Sequence, residues 1–158
     1  MKREDTVDFH IKSAWHAISR MYNQKAAQED FTTSIGFVLI NINSKDGTPA
    51  TKIAPLMGLE ARSLTRMLKS MEEKGLIYKK PDPTDKRSVR IFLTEEGKRK
   101  KEISVKTIKN FNLAVRELVS EEELKSFFQI FDKINQAIEN FQSETINPNP
   151  FDNHLYEL

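Results

Sequence analysis

Residues 76–97, LIYKKPDPTDKRSVRIFLTEEG, limit what this chain can fold into more than any other stretch. Leu76, Ile77 and Tyr78 read as one short strand. Val89, Ile91 and Leu93 fall two apart and read as a second, because period two is the strand signature. Pro81-Asp82-Pro83-Thr84-Asp85-Lys86-Arg87 between them reads as a turn, since each proline fixes φ and removes a backbone donor. Lys79, Lys80, Lys86, Arg87 and Arg90 outnumber the hairpin's two carboxylates, Asp82 and Asp85. A stiff basic β-hairpin can lie against a phosphate backbone or enter a groove.

The residues before the hairpin read as two helices. Thr48 is the expected cap of the first, with Pro49 at its first helical position, and Gly58 is its expected end. Pro55 conflicts with that helix and should kink or shorten it. The second runs from about Glu60 to Lys74 and stops at Gly75. Its inner stripe is Leu64, Met67, Leu68 and Met71. Arg62, Ser63, Thr65, Arg66 and Lys69 fall on the opposite side. Two helices joined by a tight glycine turn describe a helix-turn-helix, whose second helix fits a major groove. Guanidinium groups pair with guanine edges there, and hydroxyls reach phosphates or bases. A generic amphipathic helix with surface arginines is the plainer reading of the same residues. The basic hairpin directly downstream turns the pattern into a winged helix.

Helices are also expected on both sides of this core. Val7, Ile11, Ala14, Ile18 and Met21 give an apolar stripe from about Asp5 to Ala27. Thr32, Thr33 and Ser34 offer cap oxygens for a second, nearly all-apolar helix through Phe37 and Ile42. Thr94 is positioned to cap a long helix to about Val119, and Ser120 with Glu123 forms a capping box for the last one. Leu124, Phe127, Phe128, Phe131, Ile134, Ile138 and Phe141 give that last helix a broad aromatic face. The terminal helices carry more apolar surface than the small core can cover. Pairing with a second copy would bury it, and folding back on the same subunit is the alternative. The fold class expected is mostly α with a small antiparallel β-hairpin. A winged helix-turn-helix core is flanked by N- and C-terminal dimerisation helices.

Charge is unevenly placed. Residues 62–100 hold twelve Lys/Arg against six Asp/Glu, although the whole chain of 158 residues carries only +2. A basic middle between acidic flanks points to an anionic partner. The absence of cysteine excludes disulfides, thiolate metal sites and cysteine redox sensing. No apolar run approaches the roughly 20 residues needed to cross a bilayer, and the charged N-terminus is unlike a signal peptide. A cytoplasmic protein without membrane association is expected.

Several matches resemble the MarR family of bacterial transcription regulators. They centre on Asp85-Lys86-Arg87 followed by Leu93-Thr94-Glu95-Glu96-Gly97, the family's wing pattern. Leu64-Thr65-Arg66 and Glu73-Lys74-Gly75-Leu76-Ile77 also match, and helix order agrees through about Gln142. The resemblance implies one domain over residues 1–142. Within it, about 33–94 would form the DNA-binding lobe, about 5–27 and 95–142 the dimerisation helices, and 143–158 a tail outside the pattern. It implies a homodimeric repressor on pseudo-palindromic double-stranded DNA, released by a small aromatic or anionic effector. On that mapping Arg62, Ser63, Thr65 and Arg66 form the recognition face in the major groove, and Lys69 is a further DNA-binding residue. Lys86, Arg87 and Arg90 serve the wing, Arg87 enters the minor groove, and Asp85 braces it.

An effector cavity between the first, second and fifth helices would draw on Trp15, His16, Tyr22, Phe37 and Phe111, which equally suit a core. His10 and His16 are off the i,i+4 spacing of a helical metal pair, and His154 is distant, so no metal and no cofactor is expected. No phosphate loop, nucleophile elbow or shielded carboxylate pair marks an enzyme. A winged helix that binds protein through its basic face stays open.

Overall fold

The computed structural model describes residues 2–83, 85 and 88–144. After a 3-10 turn at Arg3–Asp5 come helices α1 (Val7–Ala27) and α2 (Thr33–Ile40) and strand β1 (Thr48–Pro49). Helices α3 (Ala50–Leu56) and α4 (Ala61–Glu73) precede strands β2 (Ile77–Pro81) and β3 (Val89–Leu93), then helices α5 (Glu95–Leu118) and α6 (Glu121–Glu144). The chain divides into two compact units, His16–Lys109 and Met1–Trp15 with the chain from Asn110 onward.

The first unit holds the core. Val38, Leu39, Ile42, Ile53, Met71 and Ile91 are fully enclosed, and Leu64, Leu68, Leu76 and Leu93 nearly so. Thr32 caps α2 by accepting from the Ile35 N–H at 3.3 Å. Helix α4 ends in a Schellman motif. Gly75, at φ +67°, donates to Glu72 O at 2.9 Å, and Leu76 N–H reaches Met71 O at 2.9 Å. The buried Met71 and Leu76 side chains supply the apolar contact that accompanies this motif.

Two expectations need correction. Thr48 does not cap α3. Its hydroxyl donates to Asn41 O at 3.2 Å and accepts from Asn43 N–H at 2.9 Å, so the preceding loop has already engaged it. Thr48 and Pro49 instead pair with Ile91 and Arg90, adding a third strand to the hairpin in the order β1-β3-β2. Pro81 belongs to β2, opposite Val89, rather than to the turn. A proline is tolerated there because β2 is an edge strand and Pro81 is its last residue. The Pro55 conflict resolves by shortening, for α3 stops one residue beyond it.

Thr94 joins the wing to α5. Its Oγ1 accepts from Gly97 N–H at 3.0 Å and donates to Gly75 O at 2.7 Å. Thr94→Ala is expected to cost about 1–2 kcal/mol, read as a lowered urea midpoint. An unchanged midpoint would mean the hydroxyl contributes nothing.

The second unit is organised differently. Ser120 and Glu123 form the reciprocal box that starts α6, with Ser120 N–H to Glu123 Oε2 at 2.8 Å and Glu123 N–H to Ser120 Oγ at 3.2 Å. No described residue of α6 is buried, and Phe127, Phe128, Ile130, Ile138 and Phe141 are each at least half exposed. Val7, Ile11 and Trp15 of α1 are exposed as well. No described helix is long and apolar enough to cross a membrane.

Candidate nucleic-acid interface

Helix α4 separates its two faces cleanly. Leu64, Leu68 and Met71 point into the core, whereas Arg62, Ser63, Thr65, Arg66 and Lys69 are all exposed. The 3.6-residue period does this, because positions 64, 68 and 71 share one stripe and the polar positions fall outside it. Arg62 and Arg66 form no ion pair with any described residue, so both guanidinium groups are available. Lys69 lies 4.0 Å from Glu73, an exposed pair of little energetic weight. The Thr65 hydroxyl donates to Ala61 O at 2.8 Å, which leaves it an acceptor and a methyl group to offer outward.

The hairpin is built around one buried carboxylate. Asp82 is only 2% exposed at its side chain. Its Oδ2 accepts from Arg90 Nε at 3.0 Å, and its Oδ1 accepts from Asp85 N–H at 3.3 Å. Arg90 Nη1 also donates to Asp46 O at 3.1 Å. Arg90, grouped by sequence with the groove contacts, therefore turns its guanidinium inward. Lys79 pairs with Glu72 of α4 at 2.5 Å, and Lys80 Nζ lies 5.4 Å from the ring centres of both Tyr78 and Phe92. Lys86 and Arg87 lie outside the described residues, as does the expected Asp85–Arg87 brace.

A small pocket of about 30 Å³, partly open to solvent, lies within the same unit against α1, α2 and α5. Of the five effector residues expected, Tyr22 and Phe37 line it, with their rings edge-on at 6.3 Å. Trp15, His16 and Phe111 are not among its lining residues. The α1 residues that reach it are Tyr22, Lys25 and Ala26, and Trp15 lies seven residues earlier, about 10 Å along the helix. Burial pushes the Tyr22 hydroxyl pKa up. Phe31, Thr33, Ser104 and Thr107 also line the cavity, and nothing in the sequence pattern marks them as pocket residues at first sight. A signal existed for the α5 residues. Gly97, Lys100 and Ser104 recur at helical spacing and are the buried residues of α5, but counting apolar residues passes over them.

Lys100 secures that inner face. Its ammonium donates to Glu29 O, lies 3.2 Å from Glu96, and sits 5.3 Å above the Phe31 ring centre. Hydrogen bonds from Arg99, then from Lys100, hold the Glu96 carboxyl down to about 2. Lys101 donates to Ile42 O at 2.5 Å, and partial burial lowers its pKa. Among the described residues no cluster of three potential metal ligands occurs.

Residues 31–89 match the sequence model of the MarR family. The HTH-type transcriptional regulator SarZ of Staphylococcus aureus is 32% identical over 113 residues, covering 69% of this chain and 75% of SarZ. The S. aureus MepR–DNA complex aligns with a TM-score of 0.76 at 24% identity, over 84% of this chain and 98% of MepR. The PcaV regulator of Streptomyces coelicolor, solved with its natural ligand, aligns with a TM-score of 0.73 at 20% identity, over 87% and 97% of the two chains. These two structures share the winged-helix fold described above.

Proposed function

Because the chain belongs to the MarR family of transcriptional regulators, we propose that it binds double-stranded DNA sequence-specifically as a homodimer and acts as a ligand-responsive repressor. The observation that carries this reading is α4, whose Arg62, Ser63, Thr65, Arg66 and Lys69 stand exposed opposite a fully packed stripe. Basic side chains supply salt-dependent affinity, and a few α4 groups supply sequence preference. The wing adds a second contact in the neighbouring minor groove, and its sequence supplies Lys86 and Arg87 for it. MepR was solved on DNA, which supports the same use of this fold here.

The homodimer rests on the exposed apolar side chains of α6 and of the start of α1, which a second copy would bury. Two-fold symmetry then sets the two recognition helices about 34 Å apart, one turn of DNA, so the operator is a pseudo-palindrome. Effector response rests on the pocket, whose lining is largely apolar and aromatic and whose walls must part to admit a small ligand. Thr33 Oγ1 in its wall is buried with no partner among the described residues, an anchor for one polar group of a small aromatic ligand. A ligand that prefers a non-binding spacing of the two lobes lowers DNA affinity by its differential affinity for the two states. Such a regulator works where its DNA is, in the cytoplasm.

Selection of bound DNA from a random pool with the purified protein is the test. A palindrome with one-turn half-site spacing is expected, and recovery of no motif would favour a protein partner for the basic face. On the selected site, Arg66→Ala is expected to cost about 1–3 kcal/mol, with a much smaller loss on random DNA. Equal losses on both would make Arg66 a phosphate contact.

A further inference from the structure

We propose that Asp82 is the positioning residue of the wing. Its buried carboxylate, clamped by Arg90, sets the shape in which the tip meets DNA, and Arg90 serves that brace rather than a phosphate. The inference rests on the DNA-binding reading above.

One carboxylate group reaches both arms of the loop. Asp82 ends the first arm, where its N–H donates to Ser88 O at 3.1 Å. Its Oδ1 holds the Asp85 N–H, its Oδ2 holds Arg90 on the returning strand, and Ser88 N–H closes back on Asp85 O at 2.9 Å. These bonds replace the ladder hydrogen bonds that stop at Pro81. A carboxylate this buried is strongly unfavourable unless its oxygens are engaged, so the loop and the ion pair form together. Arg90 suits the task because its planar fork reaches two acceptors at once, Asp82 through Nε and Asp46 O through Nη1. A lysine ammonium would keep the charge and lose that geometry.

The sign of one substitution separates brace from contact. If Arg90 touched phosphate, Asp82→Asn would free it and remove a repelling charge, and DNA binding would tighten. The brace requires the opposite. On the selected operator, Asp82→Asn should weaken binding about tenfold. Arg90→Lys should lose as much as Arg90→Gln, and the double variant Asp82→Asn/Arg90→Gln should lose no more than either single one. Hydroxyl-radical protection in the flanking minor groove should fade while major-groove protection under α4 persists, a pattern that general loosening of the fold would not produce. Arg90→Lys alone carries the same test if the asparagine variant does not fold. Wild-type or tighter binding by Asp82→Asn, or full affinity in Arg90→Lys, would overturn the brace and leave the DNA-binding reading standing. A wild-type protein that selects no DNA sequence would remove that reading and this proposal together.

Discussion

Gly97→Val is expected to destabilise the chain by more than about 3 kcal/mol, beyond the usual range for overpacking of side chains. A Cβ at Gly97 would stand 2.0 Å from the Leu76 carbonyl oxygen and 3.1 Å from the carbonyl carbon. That obstacle is backbone, so no rotamer change removes it. Leu76 cannot retreat easily. Its N–H is tied to Met71 O, its carbonyl accepts from Thr94 N–H at 3.1 Å, and its side chain is 2% exposed. Gly97 must withdraw instead, which breaks the Thr94 cap and parts α5 from the wing. Against a typical total of 5–15 kcal/mol the loss is severe. Urea denaturation measures it, and a midpoint close to wild type would show that the junction can yield.

The second large effect concerns association. Phe127→Glu with Phe141→Glu is expected to give a folded monomer whose affinity for the two-half-site operator falls 10²–10⁴-fold. Both rings lie on one face of α6 and are at least half exposed in the single chain, so the charges should barely disturb its fold. Two of them in a desolvated interface are prohibitive. Losing the second lobe turns an intramolecular contact into a bimolecular one, while affinity for an isolated half-site is retained. Sedimentation of the variant, with DNA titrations on whole and half sites, provides the readout. A variant that still sediments as a dimer would remove α6 from the interface.

How far the sequence could be read depended on whether local information sufficed. The caps at Thr32, Thr94 and Ser120 involve partners three residues away, and short-range geometry is common to all such helices. Helix α4 is similarly legible because a 3.6-residue period declares which face is buried. Strand β1 was not. Two residues have no period, and Thr48-Pro49 looks like a helix start until β3, more than forty residues later, offers them an edge. Of the five residues offered for an effector cavity, Tyr22 and Phe37 line it and Trp15, His16 and Phe111 do not, since aromatic character marks candidates without saying which point into one space.

By itself, therefore, the sequence determined the order of helices, the two faces of α4, the basic hairpin and the apolar surface left over on α6. Each follows from spacing, turn chemistry or charge within a few turns of chain. Only the tertiary structure decided which charges face outward. Asp82 and Arg90 are eight residues apart in a hairpin of similar-looking charges, and no local pattern distinguishes a brace from a contact. Burial makes that distinction. In the packed sheet the Asp82 carboxylate loses its water, and the Arg90 guanidinium turns inward to engage it.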